Sequence, residues 1–229
     1  MRARALALAL LLATGASAAE PLRLTRPVSD SAFPRIAAPL TPTTSKINAA
    51  LAQLDRRWAG FVKECMAGGK DHEAERGVQV TMAGPRFLSL IATDSESCGG
   101  VHPDASTLAL VYDLDAGRPV DWRVLLGPRL VADTSVDTVI DGTRIGMIGS
   151  KALSGLYVRT DRPDKQCAAV LLHPGPKFVA WLDGRRHGLT IEPVLPHVAA
   201  ACANDVTIPL ADLRRLGANP ALISALAGR

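Results

Sequence analysis

Cys98-Gly-Gly-Val-His102-Pro103 is followed by Leu108-Ala-Leu-Val-Tyr-Asp-Leu114 and Asp115-Ala-Gly117, and this order of loop, strand and turn points to an antiparallel fold. Glycine and proline punctuate a loop, the apolar run from Thr107 to Leu114 reads as a strand, and Asp-Ala-Gly reads as a hairpin turn. Arg118 to Trp122 then returns as a second short strand, with one helical turn over Trp122 to Leu126. Strands joined by tight turns pair antiparallel. Upstream, Val78, Val80 and Met82 alternate, and Gly84-Pro85 turns the chain into a strand over Phe87 to Thr93, which makes another hairpin.

Before these strands lies a helix. Ile47, Leu51, Leu54, Trp58, Phe61 and Cys65 recur at spacings of three and four, which aligns them as one apolar stripe. Thr43, Thr44 and Ser45 are candidate N-caps, and Gly68-Gly69 is the stop. A long amphipathic helix beside hairpins predicts an α+β fold: a mainly antiparallel sheet with the N-terminal helix packed on it and short helices at the C-terminus. The second half reads less sharply. Asp133 to Gly149 holds alternating Val136, Val139, Ile140 and Ile145, Ser150 to Val158 reads as a short helix, and Ala168 to Leu172 as a buried segment. Phe178 to Leu182 and Leu189 to Val194 form a hairpin around Gly184. Val206 to Ile208 reads as a short strand, Pro209 opens a helix at its first position, and Pro220 to Leu226 adds the last one.

Residues 1–18 have the pattern of a signal peptide. Arg2 and Arg4 precede the apolar run Ala5 to Leu12, and Ala16-Ser-Ala18 supplies small residues for cleavage. No later segment approaches the ~20 apolar residues of a membrane helix. The expectation is a periplasmic or secreted protein with no membrane span. Residues 19–43 are then an extended lead-in with an edge strand near Leu22-Arg-Leu24, and 44–229 form the domain, as one unit or as packed subdomains 44–128 and 129–229. Without residues 1–18 the chain carries 24 Lys+Arg against 22 Asp+Glu, a net charge of +2 with no basic run. That argues against nucleic acid as a partner.

An exported chain with four cysteines reads as two disulfides. Cys65, Cys98, Cys167 and Cys202 allow three pairings. Cys65 with Cys98 and Cys167 with Cys202 is favoured because each bond then staples one half of the mature chain. Each would close a loop of roughly 30 residues and contribute about 2–4 kcal/mol.

Motifs for chemistry are scarce. The chain has no Gly-x-Ser-x-Gly, Ser-x-x-Lys, His-Glu-x-x-His or P-loop, and its five histidines (His72, His102, His173, His187 and His197) include no pair at i, i+4. No catalytic residue, metal site or cofactor is assigned. Asp113-x-Asp115-x-Gly117 looks like the start of a calcium loop, but position twelve is Val124 rather than a closing Glu. The turn reading, with the Asp115 carboxylate bonded to nearby backbone and Gly117 at positive φ, is preferred. The candidate binding loop is Gly99, Gly100, His102 and Pro103, which Cys98 can anchor.

Those residues carry a resemblance. Gly99-Gly-Val-His-Pro103, Tyr112-Asp-Leu114, Ala116-Gly117 and Leu125-Leu126 resemble the RsiV-like extracytoplasmic domain family, found in the lysozyme-responsive anti-sigma factor and in exported proteins. Phe87-Leu-Ser-Leu90 and Val206-Thr-Ile-Pro-Leu-Ala-Asp-Leu213 fit its strand before the loop and its closing strand and helix. The resemblance implies a non-enzymatic α+β module of the cell envelope, recognising a lysozyme-type muramidase or a wall fragment. Because nothing here matches the family's transmembrane helix, a transmembrane anti-sigma role is not expected. The alternative reading is an envelope hydrolase using dispersed residues, with His102 beside Asp104 or Asp113. Oligomeric state is not legible.

Overall fold

A computed structural model describes residues 22–100, 102–140 and 143–228. The signal-peptide reading of residues 1–18 lies outside the described residues. The fold is α+β. Helix α1 (Pro42–Ala67) precedes β1 (Glu73–Ala83), β2 (Phe87–Ser97), β3 (Asp104–Asp113) and β4 (Arg118–Pro119), which form one antiparallel sheet in that order. After α2 (Trp122–Leu126) a second antiparallel sheet follows: β5 (Asp133–Ile140), β6 (Thr143–Gly149), β7 (Lys177–Asp183), β8 (Gly188–Val194) and β9 (Val206–Pro209). Helices α3 (Lys151–Asp161) and α4 (Lys165–Leu172) connect β6 to β7, a 3₁₀ helix spans His197–Cys202, and α5 (Leu210–Arg215) and α6 (Pro220–Leu226) close the chain.

Helix α1 begins earlier than its threonine run suggests. Thr41 is the N-cap: its hydroxyl accepts from the Thr44 N–H, and the Thr44 hydroxyl accepts from the Thr41 N–H. Proline at the first position needs no N–H partner there, so Pro42 extends the helix and displaces Thr43, Thr44 and Ser45 as caps. Gly68 ends it as expected.

The lead-in is more than a tether. Its edge strand reduces to a single bridge, Leu24 with Ile36, and Phe33 and Ile36 enter the core. The Phe33 N–H donates to Asp55 Oδ1 (3.1 Å), and Asn48 exchanges two hydrogen bonds with the Ile36 backbone (2.8 and 3.0 Å). Both partners sit on α1, so the helix binds the lead-in by its polar flank.

Strands β2 and β3 are buried on both faces, and the two-residue period sorts their side chains. Leu88, Leu90 and Ala92 of β2, with Leu110 and Tyr112 of β3, pack under Ile47, Leu51 and Leu54 of α1. Phe87, Ile91, Ala109 and Val111 point the other way, into a second core with Trp122, Phe178, Trp181, Leu182 and Leu189. Helix α1, the first sheet and the second sheet therefore stack in that order.

A bulge joins the two sheets. Val80 pairs with Leu90 and Met82 with Ser89, so Thr81 has no backbone register partner on β2. Among the described residues β7 pairs with β6 only at Phe178, and beyond that point its edge forms no ladder with β6. The first sheet closes this edge: Gly184 N–H donates to Thr81 O (2.9 Å) and Leu182 N–H to the buried Ser89 Oγ (3.0 Å). An unpaired N–H in an apolar core is costly, which explains a serine in the middle of β2.

Two other readings change. Ala168 to Leu172 belongs to α4, where Leu171 alone is buried, because the helix lies at the surface and offers one residue per turn to the core. Pro209 ends β9 and caps α5 from outside rather than occupying its first helical position. Its φ of −70° suits a strand end as well as a helix start, and ψ of 155° places it in the extended region.

Candidate functional site

The loop after β2 is tied at its base. Cys65, on the last turn of α1, bonds to Cys98 with Cα atoms 5.0 Å apart. Cys167 on α4 bonds to Cys202 at the end of the 3₁₀ helix, Cα to Cα 5.3 Å. Of the three pairings, the favoured one is the one observed, and among the described residues no cysteine is free.

His72 completes the first clamp, a role no motif announces. Its Nδ1 donates to Cys65 O at 2.7 Å, and the ring lies against three glycines. A Cβ on Gly68 would stand 2.5 Å from the imidazole, on Gly69 3.1 Å and on Gly99 3.0 Å. Gly99 also has φ of +87°, a region costly for other residues. The glycines are therefore needed for the close approach of His72 as well as for helix termination and loop shape. The sequence signal, a Gly-Gly pair and a histidine three residues on, is too common to point to this contact.

Past Gly100, the loop presents His102 and Pro103 to solvent. His102 stacks on His197, with ring centroids 5.3 Å apart and planes inclined by 11°. Thus the disulfide-tied loop of the first half meets the disulfide-tied 3₁₀ helix of the second, across 95 positions that no local pattern connects. Among the described residues no hydrogen bond joins His102 to Asp104 or Asp113. Asp104 Oδ1 accepts from the Ala105 N–H (2.9 Å). Asp113 Oδ1 accepts from the N–H groups of Asp115 and Ala116 (3.0 and 3.1 Å), and its other oxygen meets Arg86 (3.1 Å). The turn is as expected, including Gly117 at φ +63°, but Asp113 rather than Asp115 caps it. Asp115 instead pairs with Arg86 (3.4 Å). Among the described residues no group of three or more His, Cys, Asp or Glu side chains is arranged to hold a metal ion.

Beside the loop lies a cavity of about 500 Å³ between the C-terminal half of α1 and the far ends of β1–β3. The apolar stripe of α1 divides here. Ile47, Leu51, Leu54 and Cys65 are buried, whereas Trp58 and Phe61 are only half-buried and wall the cavity, their rings 5.4 Å apart. Arg76 enters from β1. Its side chain is 7% exposed, its guanidinium lies 4.2 Å from the Trp58 ring centroid, and Nε and Nη2 donate to the two oxygens of Asp94 at 2.6 Å each. Nη1 is buried and has no hydrogen-bond partner among the described residues. Glu96 stands opposite Asp104 in the β2–β3 pairing, two positions from Asp94 on the same face. Burial raises the Glu96 carboxyl above its ordinary range, and the charges of Asp104 and Asp94 push it the same way.

At the other end of the loop region, Glu192 of β8 is raised by burial and by Asp205, with the Thr107 hydroxyl on β3 opposing the shift. Tyr157 of α3 is fully buried. Its hydroxyl donates to Asn204 O (2.8 Å) and accepts from Asn204 N–H (3.1 Å), and burial pushes it to about 12.

No family model matches the chain, and no curated protein matches it. Among solved structures it is similar to a member of the duf3298 family from Bacteroides fragilis NCTC 9343, at 16% sequence identity and a TM-score of 0.48. The match covers 83% of this chain and 75% of the other.

Proposed function

We propose that the protein is an exported, non-enzymatic binding module of the cell envelope. Its binding face is the loop Gly99, Gly100, His102 and Pro103, and its partner is a lysozyme-type muramidase. The observation that carries this reading is the clamped loop: a disulfide and the His72 wedge hold its base while His102 stays exposed at its rim. A loop fixed at its base loses less entropy on binding. The Gly-Gly-x-His-Pro resemblance supports the choice of partner. So does local charge, because Glu96 and Asp104 flank the loop and complement a basic protein even though the mature chain is slightly cationic. Export is supported by the two disulfides and by the pattern of residues 1–18. No described helix is long and apolar enough to cross a membrane.

Calorimetry of the oxidised protein against c-type and g-type lysozymes, with His102→Ala alongside, tests the reading. Binding at micromolar concentration or tighter that His102→Ala weakens at least about tenfold supports it. Absence of heat with either enzyme, or binding indifferent to His102→Ala, refutes the loop as a lysozyme site.

A further inference from the structure

We propose that the outer edge of β3 receives a strand from a partner protein: an extended segment, basic toward its C-terminal end, pairs antiparallel with residues 105–109 and continues the sheet beyond β4.

The register exposes this edge. Strand β2 pairs with β3 from Asp104 to Asp113 without a break, whereas β4 pairs only with Tyr112 and Asp113. Among the described residues no other strand pairs with β3 on the β4 side. The Val120 N–H donates to Val111 O (2.9 Å), so Val111 turns its backbone groups away from β2. Alternation then turns those of Ala109, Thr107 and Ala105 the same way. Asp104 Oδ1 takes the Ala105 N–H (2.9 Å), which agrees with that direction. Asp104, Ala105 and Ser106 are exposed, and Thr107 to Ala109 are half-buried.

Edge strands of stable folds usually carry charges, prolines or bulges that deter pairing. The opposite outer strand has them: Glu73, Glu75 and Arg76 lie along β1, and its register breaks between Val80 and Met82. Ala105-Ser-Thr-Leu-Ala109 has none. A regular edge of this kind is what recognition by strand addition uses. Downstream it leads into a groove of about 550 Å³ between β3, the β4–α2 connection and β6, which leaves room for the start of an added strand.

Charge selects the segment. From Phe87 to Gly117 the chain has five carboxylates and no lysine or arginine. At the loop end of the edge, Asp94, Glu96 and Asp104 lie on one face, and Glu192, bonded to the Thr107 hydroxyl, lies on the other. Arg76 offsets Asp94, Arg57 offsets one carboxylate more, and Asp205 beside Glu192 is paired with Arg186. This end therefore stays acidic. At the groove end Arg118 and Arg123 outweigh Asp121. The C-terminal half of an antiparallel segment faces the acidic end, so its basic residues belong there. The edge binds main chain without His102, so it goes beyond the muramidase reading, and a failed lysozyme titration leaves it standing.

The probe is acetyl-Val-Thr-Val-Lys-Val-Lys-amide, titrated into isotope-labelled oxidised protein. The expected result is a saturable shift of the Thr107 and Ala109 amide resonances in the millimolar range or tighter, with their hydrogen exchange slowed about tenfold. Thr107→Pro removes an outward N–H and no bond to β2, a change that edge strands tolerate. It is expected to weaken binding about fivefold or more, read at Ala109. Two peptides N-methylated at alternate residues, one for each set, need no variant: the one blocked on the side facing β3 is expected to lose binding about tenfold or more. Glutamate in place of both lysines is expected to weaken binding about fivefold. The proposal is overturned by no saturable shift at these amides, by both methylated peptides binding like the parent, by a folded Thr107→Pro that binds unchanged, or by equal binding of the glutamate peptide.

Discussion

Replacing Ser89 by alanine removes one oxygen from the seam between the two sheets and almost no volume. Ser89 is fully buried on β2, and its Oγ accepts from the Leu182 N–H of β7 (3.0 Å) and from the Thr81 hydroxyl (2.8 Å). The alanine variant strands the Leu182 N–H where water cannot reach, at about 1–3 kcal/mol, and removes the Thr81 bond, at about 0.5–1.5 kcal/mol. The sum is roughly 2–4 kcal/mol, which for a chain of this size lowers the melting temperature by about 4–16 °C. Urea titrations followed by circular dichroism read the loss as a lower midpoint at unchanged slope. Ser95→Ala on the exposed stretch of the same strand is the control, with an expected change within about 0.5 kcal/mol. A double cycle with Thr81→Val then isolates the coupling between the two hydroxyls. If Ser89→Ala proves as mild as Ser95→Ala, the open edge of β7 is not held by this contact and the account of the seam is wrong.

Two other perturbations probe the second half. Tyr157→Phe leaves Asn204 without its buried hydroxyl partner, and a loss of about 1–3 kcal/mol is expected by urea titration; an unchanged midpoint would show that the pair contributes nothing. Glu192 has a raised pKa through burial, so the native state favours its protonated form, and stability falls as pH rises from the ordinary carboxyl range through the raised value. Glu192→Gln removes that penalty and is expected to melt higher than the parent at neutral pH. The advantage should fade at pH values below the ordinary carboxyl range, where the glutamate is protonated folded or unfolded. An advantage that grows on acidification would contradict the assignment.

Much of the fold was legible because it is encoded locally. Alternation in Val78 to Met82 and in Leu108 to Leu114, with turns at Gly84-Pro85 and Asp115-Ala-Gly117, marks the first sheet's hairpins, and each appears where read. The α1 stripe and its glycine stop are local in the same sense. The helix start was misplaced by two residues because three threonines and a serine compete for a cap that Pro42 decides. The lead-in, with neither period, gave no sign that Phe33 and Ile36 are core. Of the candidate site, the cysteine pairing is readable from spacing and the loop Gly99, Gly100, His102 and Pro103 from its motif, whereas the sequence gives no site role to His72, His197, Trp58 or Arg76, whose partners lie far along the chain.

Periodicity and turn residues act over neighbouring positions, so the class of most elements is written in the sequence, and four cysteines make two disulfides possible. Which face each residue serves is fixed only when the helix and sheets pack. Trp58 and Phe61 carry the same periodic signal as Leu51 and Leu54, yet the sheet beneath them ends in Arg76, Asp94, Glu96 and Asp104 rather than in leucines. Those charged side chains leave the stripe half-covered, and they come together only when β1, β2 and β3 pair in register beneath α1.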